Sequence, residues 1–249
     1  MRPIGFSSGA LAYSDFRRAV QVARQHNLPA LELSALRDHE VGPLLDALPD
    51  LNLEGIAHLS FHAPSRLTEW SETDLVSHVL EHVPQAWPVV VHPDVIENHQ
   101  VWKPLGNRLC IENMDQRKEC GRTAEELRPF FANLPDATFC LDLAHAHQID
   151  PTMSVATDLL RAYGDRLKQV HCSELRDDSS HGPMSFRTLY AYRRIADLLP
   201  VDCPVIIEAV VAPEEVTSEL DITRLALTDK ASFDEWRQHA GLASHAVPT

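Results

Sequence analysis

Residues 108–142 read RLCIENMDQRKECGRTAEELRPFFANLPDATFCLD. Two short apolar runs, Arg108–Glu112 and Thr138–Asp142, flank a stretch over Thr123–Leu134 whose apolar residues return at three- and four-residue spacing. The runs have the length of strands, and their continuous apolar character suits strands covered on both faces. The stretch between them has the period of an amphipathic helix. Thr123, with Glu126 three residues on, reads as its capping box. The unit is strand, helix, strand, and both strands end on a carboxylate: Glu112 and Asp142.

Working outward, the same unit recurs. Further strand-like runs are Pro3–Ser8, Ala30–Ser34, Gly55–Phe61, Trp87–His92, Leu167–Cys172 and Pro204–Ala209, making eight. Helical periodicity falls on Asp15–His26, Thr73–Val83, Val155–Tyr163 and Phe186–Leu199, and Ser14 or Asp15 can cap the first. Val41–Leu48 predicts a short helix, whereas Glu97–Pro104 carries little helical pattern. Eight strands alternating with helices over 249 residues predict an α/β fold of the (β/α)8 TIM-barrel type. The expected domain is single, over residues 1–249, with a tail beyond about residue 240 that frays. A doubly wound open sheet is the structural alternative.

Composition narrows the function. The chain has 22 basic and 36 acidic residues, a formal charge of −14, with 18 Arg, only 4 Lys and no basic run. Affinity for nucleic acid comes largely from Lys and Arg neutralising phosphates, so extended nucleic-acid binding is disfavoured. The 9 glycines never fall into a dinucleotide-binding or P-loop spacing, and there is no G-x-S-x-G elbow. The 5 cysteines form no C-x-x-C pair, and four of them (Cys110, Cys140, Cys172 and Cys203) lie in or beside apolar runs, as reduced thiols do. No apolar run approaches the ~18–20 residues needed to span a bilayer, and residues 1–6 lack a signal-peptide layout. The expectation is a soluble cytoplasmic protein acting on a small molecule, without membrane partners and with its oligomeric state open.

The 14 histidines are the second notable count. From the third strand onward, the last apolar residue is followed by a metal-ligand type: Phe61-His62, Val91-His92, Ile111-Glu112, Leu141-Asp142, Val170-His171 and Ile207-Glu208. In a barrel the carboxyl ends of all strands converge on one face, where active sites are built. Three carboxylates gathered there need a cation, and N/O ligands suit Zn, Mn, Fe or Co. His145, three residues after Asp142, and His181, in the loop after the seventh strand, extend the set. His58 reads as structural, and the remaining histidines as surface residues.

His62-Ala63-Pro64, His92-Pro93, Ile111-Glu112-Asn113, Asp142-Leu143-Ala144-His145, Val170-His171 and Ile206-Ile207-Glu208 together give the chain a resemblance. It resembles the xylose isomerase-like barrel superfamily, which holds endonuclease IV together with sugar isomerases and epimerases. Likeness to endonuclease IV implies His62 and His92 on one zinc ion, with Glu112 bridging to a second held also by Asp142, His171 and Glu208. A third would take His145, His181 and an Asp two residues before that histidine, but Ser179 stands there. The aromatic residue that endonuclease IV turns on DNA is replaced by Ser65. Likeness to the single-metal epimerases implies instead one Mn or Co on Glu112, Asp142, His171 and Glu208. In those enzymes the residue matching His145 contacts the sugar, and an Arg follows the metal histidine by six residues. Here that place is Asp177, with Arg176 one step short as the candidate substrate contact.

Two enzymatic readings follow. In the first, two or three divalent ions activate water against a small phosphorylated or sugar-like substrate. In the second, Glu112 and Glu208 are the acid/base pair of a sugar or sugar-phosphate isomerase or epimerase. A non-catalytic metal-binding partner protein is the third class. A glycosidase using the same two glutamates ranks last, because it would not need the histidines.

Overall fold

The computed structural model describes residues 2–228 and residue 233. The expected fraying beyond residue 240, with His239 and His245, lies outside the described residues. Among the described residues there are ten strands: β1 (Ile4–Ser7), β2 (Ala30–Ser34), β3 (His58–His62), β4 (Val89–Val91), β5 (Leu109–Glu112), β6 (Thr138–Asp142), β7 (Leu167–Cys172), β8 (Glu174–Leu175), β9 (His181–Gly182) and β10 (Val205–Ile207). Eight of them close a barrel in the order β1-β2-β3-β4-β5-β6-β7-β10, with β10 returning to β1, and every pairing is parallel. The open sheet is thereby excluded. β8 and β9 form a separate antiparallel hairpin.

The helices are α1 (Ser8–Leu11), α2 (Phe16–Gln25), α3 (Asp38–Ala47), α4 (Glu72–His82), α5 (His99–Trp102), α6 (Ala124–Asn133), α7 (Leu143–Ile149), α8 (Ser154–Tyr163), α9 (Phe186–Arg193) and α10 (Val216–Leu227). None of those described is long and apolar enough to cross a membrane. The Asp15 carboxylate caps α2 by accepting from the Arg18 amide at 3.0 Å. Thr123 caps α6 through the Glu126 amide at 3.3 Å, but the reciprocal bond is displaced by one residue. The Glu126 carboxylate accepts from the Arg122 amide at 2.8 Å and also holds its guanidinium.

Besides the single turn of α1, two helices are not legible in the sequence. α7 follows β6 with no turn residue between them, and α10 falls in the acidic segment after Val211, where Val216, Leu220, Ala226 and Leu227 bury a face. The weak connection after β4 is the single turn of α5 followed by 3-10 backbone over Lys103–Arg108.

Inside the barrel the side chains stack in levels, because residues two apart on a strand face the same side. The uppermost level holds Ser7, Ser34, His62, His92, Glu112, Asp142, His171 and Glu208, at or immediately after the strand ends. One pleat lower come Gly5, Glu32, Ser60, Val90, Cys110, Cys140, Gln169 and Ile206. Val90, Cys110 and Cys140 form their own buried apolar cluster there, apart from the large core between strands and helices. Gly5 is required by closure: a Cβ at that position would lie 1.6 Å from the Ala30 carbonyl oxygen.

Candidate metal centre

Register brings the upper level together. Asp142 pairs with His171, and the parallel neighbours β5, β6, β7 and β10 carry Glu112, Asp142, His171 and Glu208 at or just past their carboxyl ends, so these side chains share one rim of the barrel. Asn113 pins two of them, its side-chain amide donating to the Asp142 carbonyl at 2.9 Å and accepting from the Asp142 amide at 2.8 Å. Asp142 is divided in function. Its Oδ1 caps α7 by accepting from the His145 amide at 2.7 Å, while Oδ2 is buried without a hydrogen-bond partner.

Glu112 lies at the centre, 1% exposed, with its two oxygens facing different neighbours. Oε2 is 3.2 Å from His62 Nε2 and 3.4 Å from His92 Nε2. Oε1 is 3.2 Å from His171 Nδ1. Two potential ligand groups therefore share it: His62, His92 and Glu112, and then Glu112, Asp142, His171 and Glu208. His62 donates from Nδ1 to the Ala63 carbonyl at 2.7 Å, which leaves Nε2 as its ligating atom.

The electrostatics show a site that draws in positive charge. Burial alone would depress the imidazoles and raise the carboxyls. Against that, the hydrogen bond to Glu112 and the charge of Glu32 bring His62 up to about 9. The charges of Glu208, Glu32 and Glu112 hold His171 well above the usual imidazole range despite its burial. Glu112 is held well below the usual carboxylate range, burial being outweighed by the charge of His171 and by hydrogen bonds from His171, His62 and His92. Glu208 is instead pushed up to about 8, by burial and by the like charges of Glu112 and Asp142. A divalent cation answers the same demand that these protons meet. Asp142 Oδ2, buried without a hydrogen bond and 3.5 Å from His145 Nδ1, and the N/O donor set fit such an ion.

Six of the eight expected ligands thus lie in the two groups. His145 and His181 are brought close, with ring centroids 5.7 Å apart, but among the described residues no carboxylate completes a third group with them. His145 Nδ1 donates to the Asn113 carbonyl at 2.8 Å, and His181 Nδ1 lies 2.8 Å from Ser173 Oγ. Ser179 is buried and its hydroxyl oxygen accepts from Gln148 Nε2 at 2.9 Å, and Asp178 turns outward and accepts from Ser180.

Arg176 is not brought to the site. It is exposed, and its guanidinium lies over Gly182 in the β8–β9 hairpin. The cations at the site are Arg66, Arg117 and Lys118, which line a cavity of about 590 Å³ together with His62, His92, Glu112, His145, His181 and Glu208. Arg117 is fixed by the buried Asp115 through Nε at 2.9 Å and Nη2 at 2.6 Å. A larger cavity of about 920 Å³ adjoins it, sharing Ser65, Arg66 and Lys118 but none of the clustered ligands.

The signal for Glu32 was present in the sequence and unread: an acid inside the apolar run Ala30–Ser34. Gln169 and Ser60, each two residues before a candidate ligand, join it beneath the site. His58 is structural, as expected, and its Nε2 donates to Gln169 Oε1 at 3.1 Å.

No protein-family model matches the chain, and no curated protein matches it. Solved structures do. A xylose isomerase domain containing protein from Salmonella typhimurium aligns over 90% of this chain and 97% of its own, with TM-score 0.59 and 12% identity. SacUVDE aligns over 98% of this chain and 100% of its own, with TM-score 0.52 and 12% identity. An amidohydrolase from Burkholderia multivorans with bound Zn aligns over 97% and 98%, with TM-score 0.54 and 13% identity. At these identities the likeness establishes the fold alone, an α/β TIM barrel.

Proposed function

We propose that the chain is a divalent-metal-dependent hydrolase whose substrate is a small phosphate ester. The observation that carries this reading is the division of Glu112, whose two oxygens face two separate ligand groups as a bridging carboxylate's do. His62 and His92 would hold one ion with Glu112, and Asp142, His171 and Glu208 the other. Two ions so placed would supply an activated water and a Lewis acid for the phosphoryl oxygen. The bound Zn of the amidohydrolase neighbour supports a divalent metal on this fold.

The residues themselves do the rest. The Asp115–Arg117 pair presents a guanidinium in a fixed orientation at the cavity wall, and Lys118 and Arg66 add charge beside it. Guanidinium binds phosphate in a planar, bidentate manner, so Arg117 would orient the ester and settle the charge on its oxygens. A cavity of about 590 Å³ suits a small ligand rather than a nucleic-acid strand, in keeping with the net charge of −14. The test is release of inorganic phosphate from a panel of small monoesters and diesters by zinc- or manganese-loaded protein. Turnover that a chelator abolishes is expected, and no release across the panel would overturn the reading.

One observation favours a second reading. Glu112, Asp142, His171 and Glu208 close a four-ligand group without His62 or His92, as a single-metal isomerase or epimerase would use. There Glu112 and Glu208 would pass a proton between adjacent carbons of a hydroxy-ketone. Deuterium entering a ketose from solvent would select this reading over the hydrolytic one.

A further inference from the structure

We infer that Glu32 is the positioning residue of this centre, holding the His171 imidazole so that its Nδ1, and not its Nε2, is presented to metal. The inference rests on the metal-centre reading and gives a positioning role to Glu32, which also comes within ligand distance of His62, His171 and Glu208.

Glu32 is completely buried on the inner face of β2, one pleat below the ligand level. Its Oε2 accepts from Ser60 Oγ at 2.9 Å and from Gln169 Nε2 at 2.7 Å, and lies 3.2 Å from His171 Nε2. On the other side of the same ring, His171 Nδ1 is 3.2 Å from Glu112 Oε1 and 3.5 Å from Glu208 Oε1. The ring therefore spans two levels, with one nitrogen over the polar floor and the other in the ligand group.

A neutral imidazole carries one proton, and the nitrogen that ligates must be the bare one. The floor permits two arrangements. In one, the proton sits on Nδ1 against Glu112, and Gln169 Nε2 donates to His171 Nε2, 2.9 Å away. In the other, the proton sits on Nε2 and is given to Glu32, leaving the Nδ1 lone pair aimed between Glu112 and Glu208. Only the second is compatible with metal at Nδ1. Glu32 supplies the charged acceptor it needs, 3.2 Å from His171 Nε2, and also takes a hydrogen of the Gln169 amide at 2.7 Å. Gln169, held by His58 at its Oε1, presents the competing donor that the first arrangement uses. The adjoining floor residues Val90, Cys110 and Cys140 are apolar. The polar part of the floor is confined to the side beneath His171.

Carboxylates that take the outer N–H of a ligating histidine raise its basicity and fix its ring, and losing one costs about 10- to 100-fold in metal affinity. The experiment uses the full-length chain and zinc alone. Zinc affinity is measured by chelator competition for the wild type and for Glu32→Gln, which keeps the shape and removes the charge. Thermal unfolding of both is followed in the absence of metal. In parallel, 15N shifts of the His171 ring in zinc-loaded wild type report its tautomer without any substitution.

The expected result is a zinc dissociation constant about 10- to 100-fold higher for Glu32→Gln at unchanged stoichiometry, with the His171 proton on Nε2 in the wild type. Equal affinities, or a proton on Nδ1, would overturn the positioning role. Loss of a whole zinc equivalent in Glu32→Gln would make Glu32 a ligand and overturn it equally. If Glu32→Gln does not fold, the wild-type tautomer decides the matter. Absence of zinc binding by the wild type would count against the metal centre itself, and is thus distinguishable.

Discussion

Removing the Asp38 carboxylate should loosen the β3–α4 loop, which borders both cavities. Asp38 is 5% exposed at the start of α3, and its Oδ2 accepts from the Thr68 amide, from Thr68 Oγ1 at 2.9 Å and from the Glu69 amide at 2.5 Å. The Trp70 amide, at 3.5 Å, adds little. Hydrogen bonds to a charged acceptor contribute about 1.5–3 kcal/mol each, but three on one oxygen are not additive. Thr68 and Glu69 are exposed and can turn their donors to water once released. We therefore expect Asp38→Ala to lower stability by about 2–4 kcal/mol. Asp38→Asn keeps a neutral acceptor and should lose about half as much.

The pH dependence has a definite sign. Burial would raise the Asp38 carboxyl, but hydrogen bonds from Glu69 and Thr68 hold it below the usual carboxylate range. A depressed folded-state pKa contributes stability that is complete above the unfolded-state value, 3.8, and lost as pH falls through the folded-state value. Urea unfolding at neutral pH and at pH values descending below 4 measures both effects, and amide exchange at residues 68 and 69 locates them. Asp38→Ala within about 0.5 kcal/mol of wild type, or with unchanged exchange at those two amides, would refute the reasoning.

Three other outcomes follow from the site. Glu112→Gln and His171→Ala should each lower metal content and abolish activity, and unchanged metal content in both would sink the ligand assignment. Asp142→Asn keeps the cap on α7, because Asn caps as well as Asp. It should therefore unfold in chelator within about 1 kcal/mol of wild type while losing the stabilisation that zinc gives the wild type, about 4 kcal/mol at a thousand times the dissociation constant; equal zinc-dependent gains would contradict it. Asp115→Asn should release Arg117 and weaken inhibition by inorganic phosphate several-fold without changing metal content, and unchanged inhibition would remove Arg117 from the anion site.

Much of this was legible because a buried parallel strand is a conspicuous object in sequence. Val89-Val90-Val91 and Val205-Ile206-Ile207 have no other good use, and the residue after each is placed by the fold at one rim. His62, His92, Glu112, Asp142, His171 and Glu208 could thus be read in one dimension. What failed to read depends on the third. Glu32 is an acid in an apolar run, and only closure of the barrel puts it under His171, across the barrel from its own strand. Arg176 lay near the right sequence spacing, but the chain turns there into the β8–β9 hairpin and carries the guanidinium outside. Its place at the cavity is taken by Arg66, Arg117 and Lys118, whose loops carry no periodicity. α10 was hidden because its buried face mixes Glu219 and Thr223 with the apolar residues, which blurs the helical apolar period.

Glu112 is the residue that would serve two ions at once. The direct test is elemental analysis of the chain purified without chelator and loaded with zinc or manganese, with the bound metal counted per polypeptide. Two equivalents, both falling together in Glu112→Gln, are the predicted result. One equivalent, undisturbed by His62→Ala and His92→Ala, would contradict it and leave the single-metal isomerase reading in its place.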